Sequence, residues 1–389
     1  MKKKIAIINQ RYGLEVNGGA ELHTRMLAER LISDYDVEVL TTCALDYMTW
    51  ENHYPEGQHM INNVVVKRFP VDKTRDIESF NKTYERLQTT ERGNTQLEQE
   101  WIDSQGPYCP KLIKYIRENE ATYDVFIFVT YLFYLTIRGI GIVSDKALFI
   151  PTAHDEPPIY FGLYKDVFTC PRAIAYNTEE ERALINNLFQ NEQIPGDIVG
   201  VGIDIPDTSD AEGFKRKHDL EDYLLYAGRI DHGKNSPELF KFFLAYKKRN
   251  PSDLKLVLMG KEIIDVPNHP DIVSLGFVSD EDRINGMAGA KLFVLPSIYE
   301  SLSMVVLESM ALGVPVVVNG KCEPVKGHCL KSNAGLYYTE YYEFEGCINY
   351  LFSNEDVYRE MSINAKKYVE KNYRWDVIMD KLKSLIEMI

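Results

Sequence analysis

Cysteine is sparse and unpatterned in this chain: six residues in 389, at 43, 109, 170, 322, 329 and 347, with no Cys-x-x-Cys pair. That excludes the disulfide framework of a small secreted domain and leaves no zinc spacing, so free thiols in a reducing cytoplasm are the expectation. Long apolar runs are missing too. The longest, Val125 to Ile137, is broken by Thr130 and Thr136 and falls short of the roughly 20 residues a membrane span needs. Lys2-Lys3-Lys4 runs into Ile5-Ala-Ile-Ile8, an apolar stretch too short for an export signal. Positive charge is also scarce, with 44 Lys+Arg against 58 Asp+Glu and a net charge of −14. Nucleic acid would be repelled, and of membrane contacts only weak peripheral attachment to the inner face through a local basic patch stays open. Residues 1–150 carry 18 basic against 21 acidic groups and the remainder 26 against 37, so the acidity sits mostly in the second part. Neither Gly-x-Gly-x-x-Gly nor a P-loop follows the first strand of either half, which counts against a bound dinucleotide or nucleoside triphosphate.

What is present suits two α/β domains of ordinary size. The most informative stretch is Pro296 to Val318. An apolar strand, Leu292 to Leu295, leads into a polar turn, then a short helix over about 303–312, a stop at Gly313 and a second strand over 314–318, which Pro315 can only begin. The helix is apolar nearly all round yet carries Glu308, and Glu300 stands just before it. A buried carboxylate is costly unless something satisfies it. Eight helical residues advance roughly 12 Å, so the two carboxylates cannot share one proton or one metal. They read as two clamps on one elongated ligand. Between them lie the free N–H groups of Ser303, Met304 and Val305, at a helix end that suits a phosphate. Hydroxyls at both ends and phosphate between them describe a nucleotide sugar. The bland alternative is that Glu308 only pairs with a core Arg or Lys.

Glu300, Glu308 and the following Ala311-Leu-Gly-Val-Pro-Val-Val317 resemble the Glu-x7-Glu motif of retaining glycosyltransferases of the GT-B fold, particularly glycosyltransferase family 4. The resemblance implies that Glu300 meets the donor sugar and Glu308 the nucleotide ribose. Family members often have a glycine-rich turn where this chain has Ser301-Leu-Ser303, which bears on the turn's geometry and not on the carboxylates. Farther upstream, Gly228-Arg-x4-Lys234 follows a strand at 223–226 and precedes a helix near Pro237. Arg229 can grip diphosphate oxygens in a fork and Lys234 acts as a point charge. Their spacing matches the family's diphosphate clamp; the alternative is that they only neutralise Glu308. The resemblance also puts the nucleobase against the loop at Phe277 and Val278.

In the first half, Lys4 to Asn9 is a buried strand, followed by a glycine loop ending at Gly18-Gly19 and a helix over 21–32 with Leu22, Met26, Leu27 and Leu31 on one face. A plain tight turn would need the same glycines. The resemblance makes Gly18 and Gly19 part of the cleft lining opposite the donor phosphates. Asp34-Tyr-Asp36 mimics a metal-binding Asp-x-Asp but sits in a helix-to-strand turn, where Asp serves turn chemistry. Strands follow at 63–69, 123–129, 147–150 and, last in this domain, 172–177, where Thr178 and Glu181 form a capping-box pattern. Residues 72–120 read as a solvated helical insert, the alternative being a segment that shapes the acceptor entrance. The loop after the strand at 147–150, Pro151-Thr-Ala-His-Asp-Glu-Pro-Pro158, is stiffened by prolines and presents His154 and Asp155. The resemblance brings a His here close to the sugar's anomeric carbon; Tyr160, Phe161 and Tyr164 could stack on sugar or fill the core. Residues 320–335 read as a loop with an incidental His328, and 375–389 as an amphipathic helix with Val377, Ile378, Leu382, Leu385 and Ile386 along one side.

The expectation is therefore an α/β chain of GT-B type, two Rossmann-like doubly wound domains facing a cleft. The domains are 1–197 and 213–372, the hinge is 198–212, and a helix at 373–389 crosses back. The resemblance implies a hexosyl-type transfer with retained configuration, no metal and no cofactor, from a nucleoside diphosphate sugar to a glycan or lipid-linked glycan. Rival readings are a GT-B nucleotide-sugar epimerase, a non-catalytic nucleotide-sugar sensor and an NAD-dependent oxidoreductase.

Overall fold

The computed structural model describes residues 2–16, 18–204 and 208–389. Residues 205–207, inside the expected hinge, and Asn17, in the glycine loop, lie outside the described residues. The chain divides into two compact units, one comprising residues up to Gly200 with Asp380–Ile389, the other Val201–Met379.

The first unit is built on β1 (Lys4–Ile8), β2 (Asp36–Thr42), β3 (Gly57–Ile61), β4 (Val64–Phe69), β5 (Val125–Val129), β6 (Ala147–Ile150), β7 (Ala173–Tyr176) and β8 (Gly196–Ile198). Their order is β3-β4-β2-β1-β5-β6-β7-β8, parallel throughout except for β3 against β4. The central strands are apolar without alternation: Ile5 pairs with Val37 on one side and Val125 on the other, and residues 5–8 of β1 and 125–128 of β5 are fully buried. This is the composition of a parallel sheet covered by helices on both faces. The order reverses at β1, so the loop after it lies at the sheet's switch point, where doubly wound folds take their ligands.

Several expectations are corrected here. The strand β3 was not foreseen; it joins β4 through Asn62-Asn63, both in the left-handed region (φ 47° and 64°), a two-residue hairpin turn that Asn tolerates. Residues 172–177 do not end the sheet, because β8 pairs beyond β7. Residues 72–120 are not a solvated insert: the helices Ile77–Gln88, Thr95–Gln105 and Pro110–Glu118 send Leu87, Leu97, Trp101, Ile102, Leu112 and Ile116 into the main core. Phe80, Tyr84 and Trp101 stack there with centroids 5.9–6.2 Å apart. In the helix Gly19–Leu31 the buried face carries Glu21, Thr24, Leu27, Ala28 and Leu31, while Leu22 and Met26 are only half-buried. Glu21 turns inward because a buried cation awaits it, as described below.

The second unit has β9 (Tyr223–Ala227), β10 (Lys255–Met259), β11 (Ile272–Ser274), β12 (Leu292–Leu295), β13 (Val316–Asn319) and β14 (Gly335–Tyr338), in the all-parallel order β11-β10-β9-β12-β13-β14. Its order reverses at β9, so the loops after β9 and β12 share the switch point. Residues 320–335 contain a helix, Glu323–Ser332, and not a loop. Its signals were Pro324 in the first turn and Asn333 closing it in the left-handed conformation (φ 54°).

The last helix, Trp375–Glu387, passes from the second unit into the first at residues 379–380. Ile378, Met379, Leu382, Leu385 and Ile386 are its buried residues, Val377 being half-buried. Within the first unit Lys381 Nζ donates to Ile198 O at 2.8 Å, and Lys383 pairs with Asp34 at 2.6 Å. Asp34 therefore serves structure. No helix among the described residues is long and apolar enough to cross a membrane.

Candidate functional site

The second unit gathers most of the expected residues at the C-terminal ends of β9 and β12. After β9 the backbone turns through Gly228 (φ 151°), and Tyr226 Oη donates to Arg229 O at 2.5 Å, fixing where Arg229 leaves the sheet. Asp231 then organises both cations. One of its carboxylate oxygens accepts from Lys234 N at 2.7 Å, and the other pairs with the Arg229 guanidinium at 3.3 Å. Lys234 itself reaches the turn after β12, its Nζ lying 2.7 Å from Glu300 Oε1. Among the described residues the ion pairs put Arg229 on Asp231, Lys234 on Glu300 and Arg283 on Glu308, so the cation paired with Glu308 is neither of the two expected.

The three loops are bolted together by amides. Asn235 Nδ2 and Asn319 Nδ2 each donate to Pro296 O at 3.1 Å, and both also donate to Glu238 Oε1, at 2.9 and 3.1 Å. This ties the ends of β9, β12 and β13 into one rigid edge. Below the turn, His328 Nε2 bonds Leu302 O at 2.9 Å while Nδ1 faces Tyr368 Oη at 3.0 Å. The carbonyl can only accept, so the ring is the Nε2–H tautomer and Nδ1 accepts from the phenol. Burial lowers its pKa to about 4. His328 is therefore a neutral prop under the turn and not incidental. The Cys322 thiol, pushed up to about 12 by burial, packs beside Glu300 O at 3.8 Å.

Ser303 precedes the helix Met304–Ala311 with φ 67° and ψ 85°. That is a conformation glycine adopts readily and serine does not. At position 303 the backbone thus takes a conformation that a glycine would adopt without strain. Ser303 Oγ is buried and without a hydrogen-bond partner among the described residues. Val306 N turns back to Ser303 O at 3.2 Å, so the N–H groups of Met304 and Val305 precede the first hydrogen-bonded turn.

Glu308, on that helix, pairs through Oε2 with Arg283 Nη1. Arg283 lies on the helix Asp280–Gly289 and also reaches Asp280 at 3.4 Å. Burial raises the Glu308 pKa; the Arg283 charge opposes that and Asp280 and Asp204 add to it. Phe277 and Val278 sit just before this helix, Phe277 74% exposed. Arg283, Asp231 and the Asn235–Glu238–Asn319 set were missed from the sequence.

The first-unit residues fall in two loops. At Gly18 the backbone is ordinary (φ −87°), but an added Cβ would lie 1.9 Å from Glu21 Oε2. The space belongs to the chain's own carboxylate. Glu21 Oε1 accepts from Arg11 Nε at 2.9 Å, Arg11 Nη2 at 2.5 Å and Gln10 Nε2 at 3.1 Å, all buried. Gly19 is the first residue of the helix. In the loop after β6, His154 Nδ1 is 3.2 Å from Glu156 Oε1, which also accepts from Tyr131 Oη at 2.6 Å, and Asp155 accepts from the exposed Tyr160 Oη at 2.6 Å. Phe161 and Tyr164 are core. Two fully buried carboxylates grip this segment. Glu181 accepts from Ala153 N and Asn177 N, both at 2.5 Å, and Glu98 from Gly162 N and Leu163 N at 3.1 and 3.0 Å. Among the described residues no group of three or more His, Cys, Asp or Glu could hold a metal ion.

Comparison with known proteins gives this arrangement a context. The family described as "Glycosyl transferases group 1" matches residues 209–368. The D-inositol 3-phosphate glycosyltransferase of Pseudarthrobacter chlorophenolicus is 29% identical over 173 residues, 40% of this chain and 41% of that protein. The chain spans about two fifths of the length of the first curated relatives it matches, at 43% and 41%. Among solved structures, the sucrose-phosphate synthase of Thermosynechococcus elongatus superimposes with a TM-score of 0.72 at 15% identity, covering 99% of this chain and 98% of that one. Anabaena Alr3699/HepE, in complex with UDP and glucose, gives 0.70 at 14% identity with complete coverage of both chains. These likenesses show the GT-B fold.

Proposed function

We propose, since the group 1 glycosyl transferase family matches residues 209–368, that the chain moves a hexose from a nucleoside diphosphate sugar to an acceptor hydroxyl, with retention of the anomeric configuration. The observation that carries this reading is the state of the two carboxylates. Among the described residues the side chain of Glu300 is hydrogen-bonded by Lys234 at Oε1 and that of Glu308 by Arg283 at Oε2, with no hydrogen bond to the other oxygen of either. Each is held in place by a cation on one oxygen, with the other oxygen available to accept from a hydroxyl. Glu300 would take a hydroxyl of the donor sugar and Glu308 one of the ribose. Arg229, Lys234 and the N–H groups of Met304 and Val305, with Ser303 Oγ, would hold the diphosphate between them.

The chemistry follows from that binding. As the glycosidic C–O bond breaks, negative charge grows on the leaving diphosphate, and fixed donors aimed at it stabilise the transition state more than the ground state. Retention suits a front-face route in which the leaving phosphate oxygen accepts the acceptor's proton, so no side-chain base is required. Phe277 and Val278 would border the nucleobase. Neither a metal nor a cofactor has a part in this route. The UDP in the Anabaena structure supports a nucleoside diphosphate as the ligand class. A glycan acceptor, free or lipid-linked, at the cytoplasmic face of a membrane and in surface-glycan synthesis, completes the reading. A thermal-shift panel of UDP, GDP, ADP, their common sugar conjugates and NAD tests it. A ligand at 100 times its dissociation constant adds about 2.7 kcal/mol, so one nucleotide class should shift the protein. A shift with NAD alone would overturn the donor site.

A further inference from the structure

Arg283 belongs to none of the motifs that mark this site, yet it is the only cation that the ion pairs put on Glu308 among the described residues. The pair is lopsided. Both the hydrogen bond and the ion pair use Oε2, and Oε1 of Glu308 has no hydrogen-bond partner among the described residues. The two side chains are about three-quarters buried, with 28% and 24% of their surface exposed. Arg283 is steadied from the other side by Asp280 at 3.4 Å. A lone carboxylate in this setting would be driven towards its neutral form by burial and by Asp280 and Asp204, and Arg283 is the group that opposes this. A carboxylate with one oxygen anchored and the other open, on a rigid helix, is a directional acceptor for one hydroxyl.

We propose that Arg283 is a positioning residue that makes Glu308 selective for the ribose hydroxyls of the donor, so that discrimination between ribonucleotides and their deoxy forms depends on the Arg283–Glu308 pair. This rests on the reading above in which Glu308 meets the ribose. Without Arg283 the carboxylate loses both its charge partner and its fixed orientation, and can no longer hold one oxygen at the hydroxyl. Arg283 would then act on the sugar of the nucleotide without touching it.

The experiment needs no acceptor. Calorimetric titration uses the nucleoside diphosphate that the wild type binds best, together with its 2′-deoxy and 3′-deoxy forms. The wild type should bind at least one deoxy form roughly 10- to 150-fold more weakly, the worth of a hydrogen bond to a charged group. Arg283→Gln should bring that ratio to within about threefold, Glu308→Gln should do the same, and the double variant should add nothing further, since the two act as one unit. Matching thermal unfolding midpoints establish that the variants are folded. A ratio in Arg283→Gln equal to the wild type's, or additive losses in the double variant, overturns the proposal. If the wild type binds ribonucleoside diphosphates without discriminating against either deoxy form, the ribose role of Glu308 fails and the proposal with it. If it binds no nucleoside diphosphate, the donor reading itself fails.

Discussion

Lys234 Nζ lies 2.7 Å from Glu300 Oε1, joining the loop after β9 to the turn after β12. Side chains with 29% and 14% exposure are screened less than a surface pair. The ammonium that the proposed route sets against the donor diphosphate is thus already anchored by the carboxylate set against the sugar. Glu300→Gln removes the charge without changing the shape. Nucleoside diphosphate affinity should stay within a few-fold, while transfer should fall by roughly 100-fold or more. Steady-state transfer beside calorimetric affinity checks both. A transfer rate within threefold of wild type would take Glu300 out of the chemistry.

His328 sets a pH dependence. Its folded pKa is about 4 against an ordinary value of 6.5, so the unfolded chain takes up a proton that the folded one does not. Stability is therefore full above about pH 6.5 and falls as pH drops towards 4, by about 1.4 kcal/mol per pH unit for each such proton. His23, fully buried with its pKa also near 4, adds a second proton. Urea unfolding between pH 7 and 5 should show His328→Gln less stable at pH 7 but with a shallower slope. An unchanged slope would mean that His328 is already charged in the fold.

Ser303 holds a left-handed backbone and a buried hydroxyl without a partner among the described residues. The conformation costs a non-glycine residue about 1–2 kcal/mol, and a glycine gives back part of that through its freer unfolded chain. Ser303→Gly should therefore stabilise by about 1 kcal/mol in urea unfolding while weakening nucleoside diphosphate binding, through loss of the proposed Oγ contact. Strain kept at a binding turn is the pattern expected of a functional site.

Gly18 owes its place to space. Gly18→Ala would put a Cβ 1.9 Å from Glu21 Oε2 and force the carboxylate off Arg11. Breaking such a buried pair costs about 3 kcal/mol or more. A loss below 1 kcal/mol in urea unfolding would show that Glu21 has somewhere else to go.

The parallel strands were legible because a buried parallel strand is an uninterrupted apolar run, as at 5–8 and 292–295. The Glu300 and Glu308 pattern was legible because one turn and one helix carry both. What failed was long-range or depended on context. Arg283 precedes Glu308 by 25 positions on a separate helix, and nothing local marks it as a partner. His328 was hidden by reading residues 320–335 as a loop, although Pro324 and Asn333 bracket a helix. Residues 72–120 looked solvated because their charges outnumber their apolar residues. A narrow stripe through Leu87, Trp101 and Leu112 is enough to dock them. In the glycine loop, the purpose of Gly18 became visible only once Glu21 was found folded over it.

The central claim is that the second unit clamps a nucleoside diphosphate between Arg229, Lys234 and the helix that begins at Met304. Calorimetric titration of wild type and Lys234→Ala with that diphosphate tests it most directly. Loss of one charge-assisted contact costs about 1.5–3 kcal/mol, so the variant should bind roughly 10- to 150-fold more weakly while still unfolding cooperatively. Equal affinity in the two proteins would contradict the account.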